Sequence, residues 1–197
     1  MAFTIEFENL QNLRIDLEQI SDRAKNIPAL MDAAGTYMVN TEVPLIFRDQ
    51  GPGWLPTLRS TRSGGQILRD TGALAGSMEY TVNGNTLTVF TNLKYAPVHQ
   101  YGATITAKGG KFLAIPDIRL PKAAQRNFDL RGYPNTFAKP SGNGDTVYQK
   151  VSKNKIKVIA YLLPSVTIKK RQFLFWSPRA LDTIVRRWAQ IIARGNI

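Results

Sequence analysis

The stretch MEYTVNGNTLTVFT, residues 78–91, decides the fold. Apolar and polar side chains alternate outward through Tyr80 and Val82, turn at Asn83-Gly84, and alternate back through Leu87 and Val89. A period of two marks a half-buried strand. Asn-Gly favours a two-residue type I′ turn because both residues tolerate positive φ. The stretch therefore reads as an antiparallel hairpin.

Helices flank it on both sides. Upstream, Asn9 is placed to cap a helix in which Leu10, Leu13, Leu17, Ile20 and Ala24 make one stripe at spacings of three and four. Pro28 breaks or restarts it, and a second stripe runs through Leu30, Ala33, Ala34, Tyr37, Met38 and Thr41 until Pro44 kinks or ends it. Downstream, Ser177 caps a helix with Pro178 in its first turn. Leu181, Ile184, Val185, Trp188, Ile191 and Ile192 form its apolar stripe, Arg179, Arg186, Arg187 and Arg194 stay off it, and Gly195 stops it.

The remaining segments fill in around this frame. Residues 3–7 alternate as a short strand. Residues 49–56 hold two Gly and two Pro and form a loop, with Trp54 either anchored on the core or offered to a partner. Residues 57–66 are polar, basic and mobile, and 66–78 read as a short helix interrupted at Gly72. Residues 104–107 and 112–115 are expected to pair as a second hairpin with a cationic tip at Lys108 and Lys111. Residues 116–150, with four prolines and no periodicity, read as a long loop or insertion. Residues 155–162 return to strand character. The expected fold is α+β. A small, mostly antiparallel sheet is packed by N-terminal helices and a C-terminal amphipathic helix, in a single domain over 1–197.

Composition narrows the chemistry. There is no Cys, so disulfides, thiolate metal sites and a cysteine nucleophile are excluded, and the lone His99 rules out a multi-histidine metal cluster within one chain. His99, Asp117 and a serine could be imagined as a triad, but no Gly-x-Ser-x-Gly elbow occurs, and no Walker A loop is present. No cofactor, metal or catalytic residue is called for. No apolar run reaches the ~18 residues of a membrane span. The first residues, MAFTIEFENLQ, lack a cationic and apolar leader pattern, so the chain is expected in the cytoplasm where it is made.

Charge is distributed unevenly. The formal net charge is +12. Residues 1–103 carry 8 Lys/Arg against 10 Asp/Glu, a net of −2, and residues 104–197 carry 18 against 4, a net of +14. Opposite halves suit head-to-tail docking of copies. A basic surface also attracts polyanions. Lys108, Lys111, Lys153, Lys155 and Lys157, with Tyr101, Phe112 and Tyr161 near in sequence, could meet phosphates and bases. A basic, non-specific nucleic-acid-binding protein is thus the alternative reading. No helix-turn-helix, zinc finger or ribonucleoprotein motif accompanies it.

An ordered set of segments points further. Pro44 and Phe47-Arg48 are followed by Gly53-Trp54-Leu55-Pro56, Thr57 and Thr61. Then come Gln66-Ile67-Leu68-Arg69-Asp70-Thr71-Gly72-Ala73-Leu74 with Ser77, Tyr95-Ala96-Pro97-Val98-His99-Gln100-Tyr101-Gly102, and Arg171-Gln172-Phe173-Leu174 before the last helix. In this order, over roughly 40–102 and 168–195, the chain resembles the phage virion morphogenesis (tail-completion) family that includes the Mu-type tail protein G. Lys111-Phe112-Leu113-Ala114-Ile115-Pro116 is similar to a segment of other phage tail and neck proteins. Residues 103–167 depart from the family by being longer. The resemblance implies a non-enzymatic virion component at the tail or neck, completing the tail and joining it to the head. It further implies a ring of copies, hexameric in related neck proteins, that meets the tail tube, a tail terminator or connector proteins, with DNA in the lumen. Trp54, His99 and Arg171, which stand in these segments, are the expected partner-interface residues.

Overall fold

The computed structural model describes residues 10–57, 60–61 and 64–195. The strand expected over 3–7 and the cap at Asn9 lie outside them. The chain divides into two compact units. Unit 1 comprises Met1–Trp54, Gln66–Ala96 and Gln172–Ile197, and unit 2 comprises Leu55–Gly65 and Pro97–Arg171.

Unit 1 is helical around the decisive hairpin. Helix α1 (Leu10–Lys25) hands over at Asn26, whose side chain caps α2 (Ile27–Tyr37) with Pro28 in the first turn. Pro44 does not end the helical run. A wide π-helical turn over Met38–Glu42 precedes it, with the Val43 N–H bonded to Met38 O, and α3 (Val43–Arg48) follows. Proline has no N–H and crowds the preceding turn; the wide turn here relieves that crowding and rotates the next residues. Strands β1 (Met78–Asn83) and β2 (Thr86–Thr91) pair antiparallel, so the loop is Gly84-Asn85 rather than Asn83-Gly84. Gly84 lies at φ 57° and Asn85 is not among the positive-φ residues, which is the type II′ pattern with Gly first. On the inner face, Leu87 and Val89 pack on Ala34, Tyr37, Met38, Ala180 and Ile184. The ring of Tyr80 lies against Gly35, where any side chain would enter it, and the Tyr80 hydroxyl donates to Asp32 at 2.9 Å.

The last helix, α6 (Pro178–Arg194), has the expected ends: Ser177 Oγ accepts from the Ala180 N–H at 3.0 Å, and Gly195 caps it at φ 73°. Its core stripe is Ala180, Ile184 and Ile191, with Trp188 donating to Leu30 O. Leu181 and Val185, read as part of that stripe, are exposed. A second core joins Val43, Ile46, Phe47, Trp54, Ile67, Leu74, Met78, Ala96 and Phe173. Residues 66–74 are turns rather than the expected helix, because Leu68 and Gly72 sit at φ 56° and 81°, outside helical space. Only a short 3₁₀ turn, Ala75–Ser77, remains.

Unit 2 is an antiparallel β structure. After α4 (Ala96–Tyr101), β3 (Ala103–Thr106) pairs with β8 (Ser165–Ile168), and β4 (Leu113–Pro116) pairs with β7 (Lys155–Leu163). The expected second hairpin does not form. Thr106 meets Ser165 and Leu113 meets Leu163, so residues 107–112 loop out opposite Pro164, which has no N–H to continue the ladder. The stretch read as a long loop over 116–150 also carries structure: α5 (Lys122–Arg126), a 3₁₀ turn at Leu130–Gly132, β5 (Thr136–Ser141) and most of β6 (Gly144–Ser152). The larger sheet has the order β4-β7-β6-β5. Among the described residues of unit 2, the buried apolar ones are few, Leu120, Val147, Ile159 and Ala160.

Candidate functional site

Two buried polar arrangements were candidates for chemistry. In unit 1 the π-helical turn aims Glu42 inward, where it is fully buried. Ser177, Arg179 and Tyr37 all donate to its carboxylate, Arg179 through Nε at 3.1 Å and Nη2 at 3.2 Å. Burial pushes this carboxyl up, but the bonds from Ser177 and Arg179 outweigh it and hold the group below its ordinary range. In unit 2, Arg119 grips Asp117 with two bonds of 2.8 Å, and the Tyr161 hydroxyl donates to it at 2.9 Å. The hydrogen bond from Arg119 leads the causes that lower Asp117 to about 2. Both carboxylates are saturated by their donors. They tie elements together and have no spare lone pair aimed at a substrate. Asp117, needed for the imagined triad, is taken by Arg119 and Tyr161. Among the described residues no group of three or more His, Cys, Asp or Glu could hold a metal ion.

The residues singled out from sequence fall partly in each unit. Within unit 2, the Arg171 N–H donates to His99 O at 2.8 Å, and its buried guanidinium donates to Leu55 O through Nε at 3.2 Å and Nη2 at 3.1 Å. Burial lowers the Arg171 pKa, and burial followed by the positive Arg171 lowers that of His99, which favours the neutral imidazole. Within unit 1, Trp54 is buried edge-on to Phe47 and its indole donates to Gln172 O at 2.9 Å. That is the loop-anchor reading of Trp54. The family-like segment around His99 ends at Gly102, which sits at φ 77° with Lys170 N only 3.0 Å from where a Cβ would stand.

Surface composition adds what sequence reading missed. In unit 1, Trp176, Leu181 and Val185 are 49%, 50% and 60% exposed. Leu181 and Val185 are one helical turn apart and share a face of α6. Also in unit 1, Met38, Leu87, Thr88, Val89, Leu174, Phe175 and Trp176 line a mixed, mainly apolar groove of about 300 Å³. The sequence signal was present but misassigned, since the stripe on α6 was too wide for one buried face. In unit 2, Lys108 and Lys111 lie exposed on the loop opposite Pro164, and Lys153, Lys155 and Lys157 lie exposed at the β6–β7 tip with Lys150, which sequence reading passed over. The unit boundary sharpens the charge split: unit 1 holds 10 Lys/Arg and 11 Asp/Glu, while unit 2 holds 16 and 3.

A family model for phage virion morphogenesis matches residues 8–128. The chain belongs to the phage virion morphogenesis family. No curated protein and no solved structure matched it. As a member of this family it is a structural phage protein, associated with the virion and with other virion components. Among the described residues, no helix of this morphogenesis protein is long and apolar enough to cross a membrane. The family match takes in the first helices, the decisive hairpin and the segment ending at Gly102, and stops before β5, the β6–β7 tip and α6.

Proposed function

We propose that this protein completes the phage tail and joins it to the head or neck, working as a ring of identical copies. The observation that carries the reading is the family match over residues 8–128. Leu181 and Val185, exposed on one face of α6, and the exposed Trp176 just before that helix support it, because apolar side chains presented to solvent suit a protein–protein contact. The difference in charge between the units supports a ring in particular, since a heterologous interface brings unlike patches together. The partners in this reading are other copies, the tail tube or terminator, and neck or connector proteins, and assembly takes place in the host cytoplasm. His99 and Arg171 act here by holding the family segment of unit 2 in shape through the Arg171 N–H to His99 O bond.

Gold-labelled antibody against the chain, applied to purified virions, tests the placement. Label at the top of the tail is the expected result. Label on the capsid faces or on tail fibres contradicts it.

A further inference from the structure

A homo-oligomer cannot discharge its own net charge. Every copy brings +12, whichever faces meet, so the balancing anions, salt ions or a polyanion, come from outside the oligomer. In unit 2 the excess is concentrated, with 16 Lys/Arg against 3 Asp/Glu. Of its three carboxylates, Asp117 serves Arg119 and Tyr161, and Asp129 caps the turn at Arg131.

The β6–β7 tip shows where the excess is presented. Residues 150–157 are exposed at every position. β5 pairs with β6 as far as Gln149, with one further bond from the Lys150 N–H to Asn135 O, and β4 pairs with β7 only from Ala160 onward, so beyond Lys150 this tip is a two-stranded ribbon with no neighbouring strand. Lys155 and Lys157 alternate onto one face, Lys150 sits opposite Ile156 on the other, and Lys153 is in the turn. None of the four lysines pairs with a carboxylate among the described residues. Val151 and Ile156, 54% and 56% exposed, stand between them.

Cations on both faces of a ribbon fit a cleft with anionic walls better than a flat partner. The major groove of a DNA duplex admits a two-stranded ribbon and is walled on both sides by phosphates. We propose that the β6–β7 tip enters the groove of duplex DNA, with Lys150, Lys153, Lys155 and Lys157 on phosphates of both walls and no reading of base sequence. This inference stands apart from the ring and from the protein's position in the particle.

Fluorescence anisotropy with the full-length protein and a short labelled duplex, titrated over salt, tests it. The logarithm of the binding constant should fall linearly with the logarithm of salt concentration. The K150A/K153A/K155A/K157A variant should lower that slope by about 3–4, since each phosphate contact contributes about 0.9. Two unrelated duplex sequences should give the same result. A control in unit 1, K25A/R69A/K94A/R194A, should leave the slope unchanged although it removes the same charge. If the tip variant loses its circular dichroism signal, the single K153A change in the turn should still lower the slope by about 1. No binding of DNA at low salt, or a slope that the tip variants leave untouched, overturns the proposal. So does a wild-type protein that ignores DNA while the tip variant loses retention on an acidic virion protein.

Discussion

Arg179 closes on Glu42 with two hydrogen bonds of 3.1 and 3.2 Å, and so fastens the first turn of α6 to the π-helical turn that precedes Pro44. Ser177, which caps α6, donates to the same carboxylate. Two segments 135 residues apart in the chain are thereby set in register by one buried anion.

Removing that anion should be expensive. Glu42→Ala leaves Arg179, Ser177 and Tyr37 with unmet donors and a hole among them. It should lower unfolding free energy by about 2–4 kcal/mol. Urea denaturation followed by tryptophan fluorescence measures this. Glu42→Gln keeps the shape and part of the bonding, so it should lose less than Glu42→Ala.

Acid should weaken unit 2 in a defined window. Asp117 is lowered from 3.8 to about 2 in the folded protein. A group with a depressed folded pKa contributes its stability fully above the unfolded value and loses it as pH falls through the folded value. Its contribution is therefore complete above about pH 4 and vanishes toward pH 2. Asp117→Asn should flatten the pH dependence of the melting temperature across that window and leave its slope above pH 5 unchanged.

Gly102→Ala should destabilise the protein without touching any surface. The position lies at φ 77°, and the added Cβ would meet Lys170 N at 3.0 Å and Ile168 O at 3.1 Å. Left-handed backbone costs a non-glycine residue about 1–2 kcal/mol before that crowding is added. A drop in melting temperature by differential scanning calorimetry is the expected readout.

L181D/V185D should separate folding from assembly. Both residues are half or more exposed, so the monomer's stability should change by no more than about 0.5 kcal/mol. If they lie in the contact between copies, losing two buried aliphatic side chains should weaken association about tenfold or more. Sedimentation velocity across a concentration series distinguishes the two.

The hairpin at 78–91 was legible because one face is buried against helices and the other is wet, which is the condition that writes a period of two into sequence. Its turn was misplaced by one residue because Asn83, Gly84 and Asn85 offer two adjacent turn solutions. α6 was legible from its caps and its stripe. Which part of that stripe faces the core was not, because a surface meant for a partner is as apolar as a surface meant for the core. β5 was invisible for the opposite reason. Apart from Thr136 it is exposed at every position, so no alternation records it. β3 and β4 were recognised as strands but paired with each other, since a strand's pattern names its buried face and not its partner. Those partners, β8 and β7, arrive about sixty and about fifty residues later respectively. Among candidate site residues, His99 and Arg171 could be picked out as a segment, whereas Glu42 gave no sign of its partners because they come together only when α6 docks.

If this chain finishes the tail and joins it to the head, its loss must show in the particles. Electron microscopy of lysates from a phage lacking the gene, with infectivity assayed in parallel, should show filled heads and separate, unjoined or abnormal tails, restored when the gene is supplied in trans. Complete, joined and infectious particles in its absence would contradict the account.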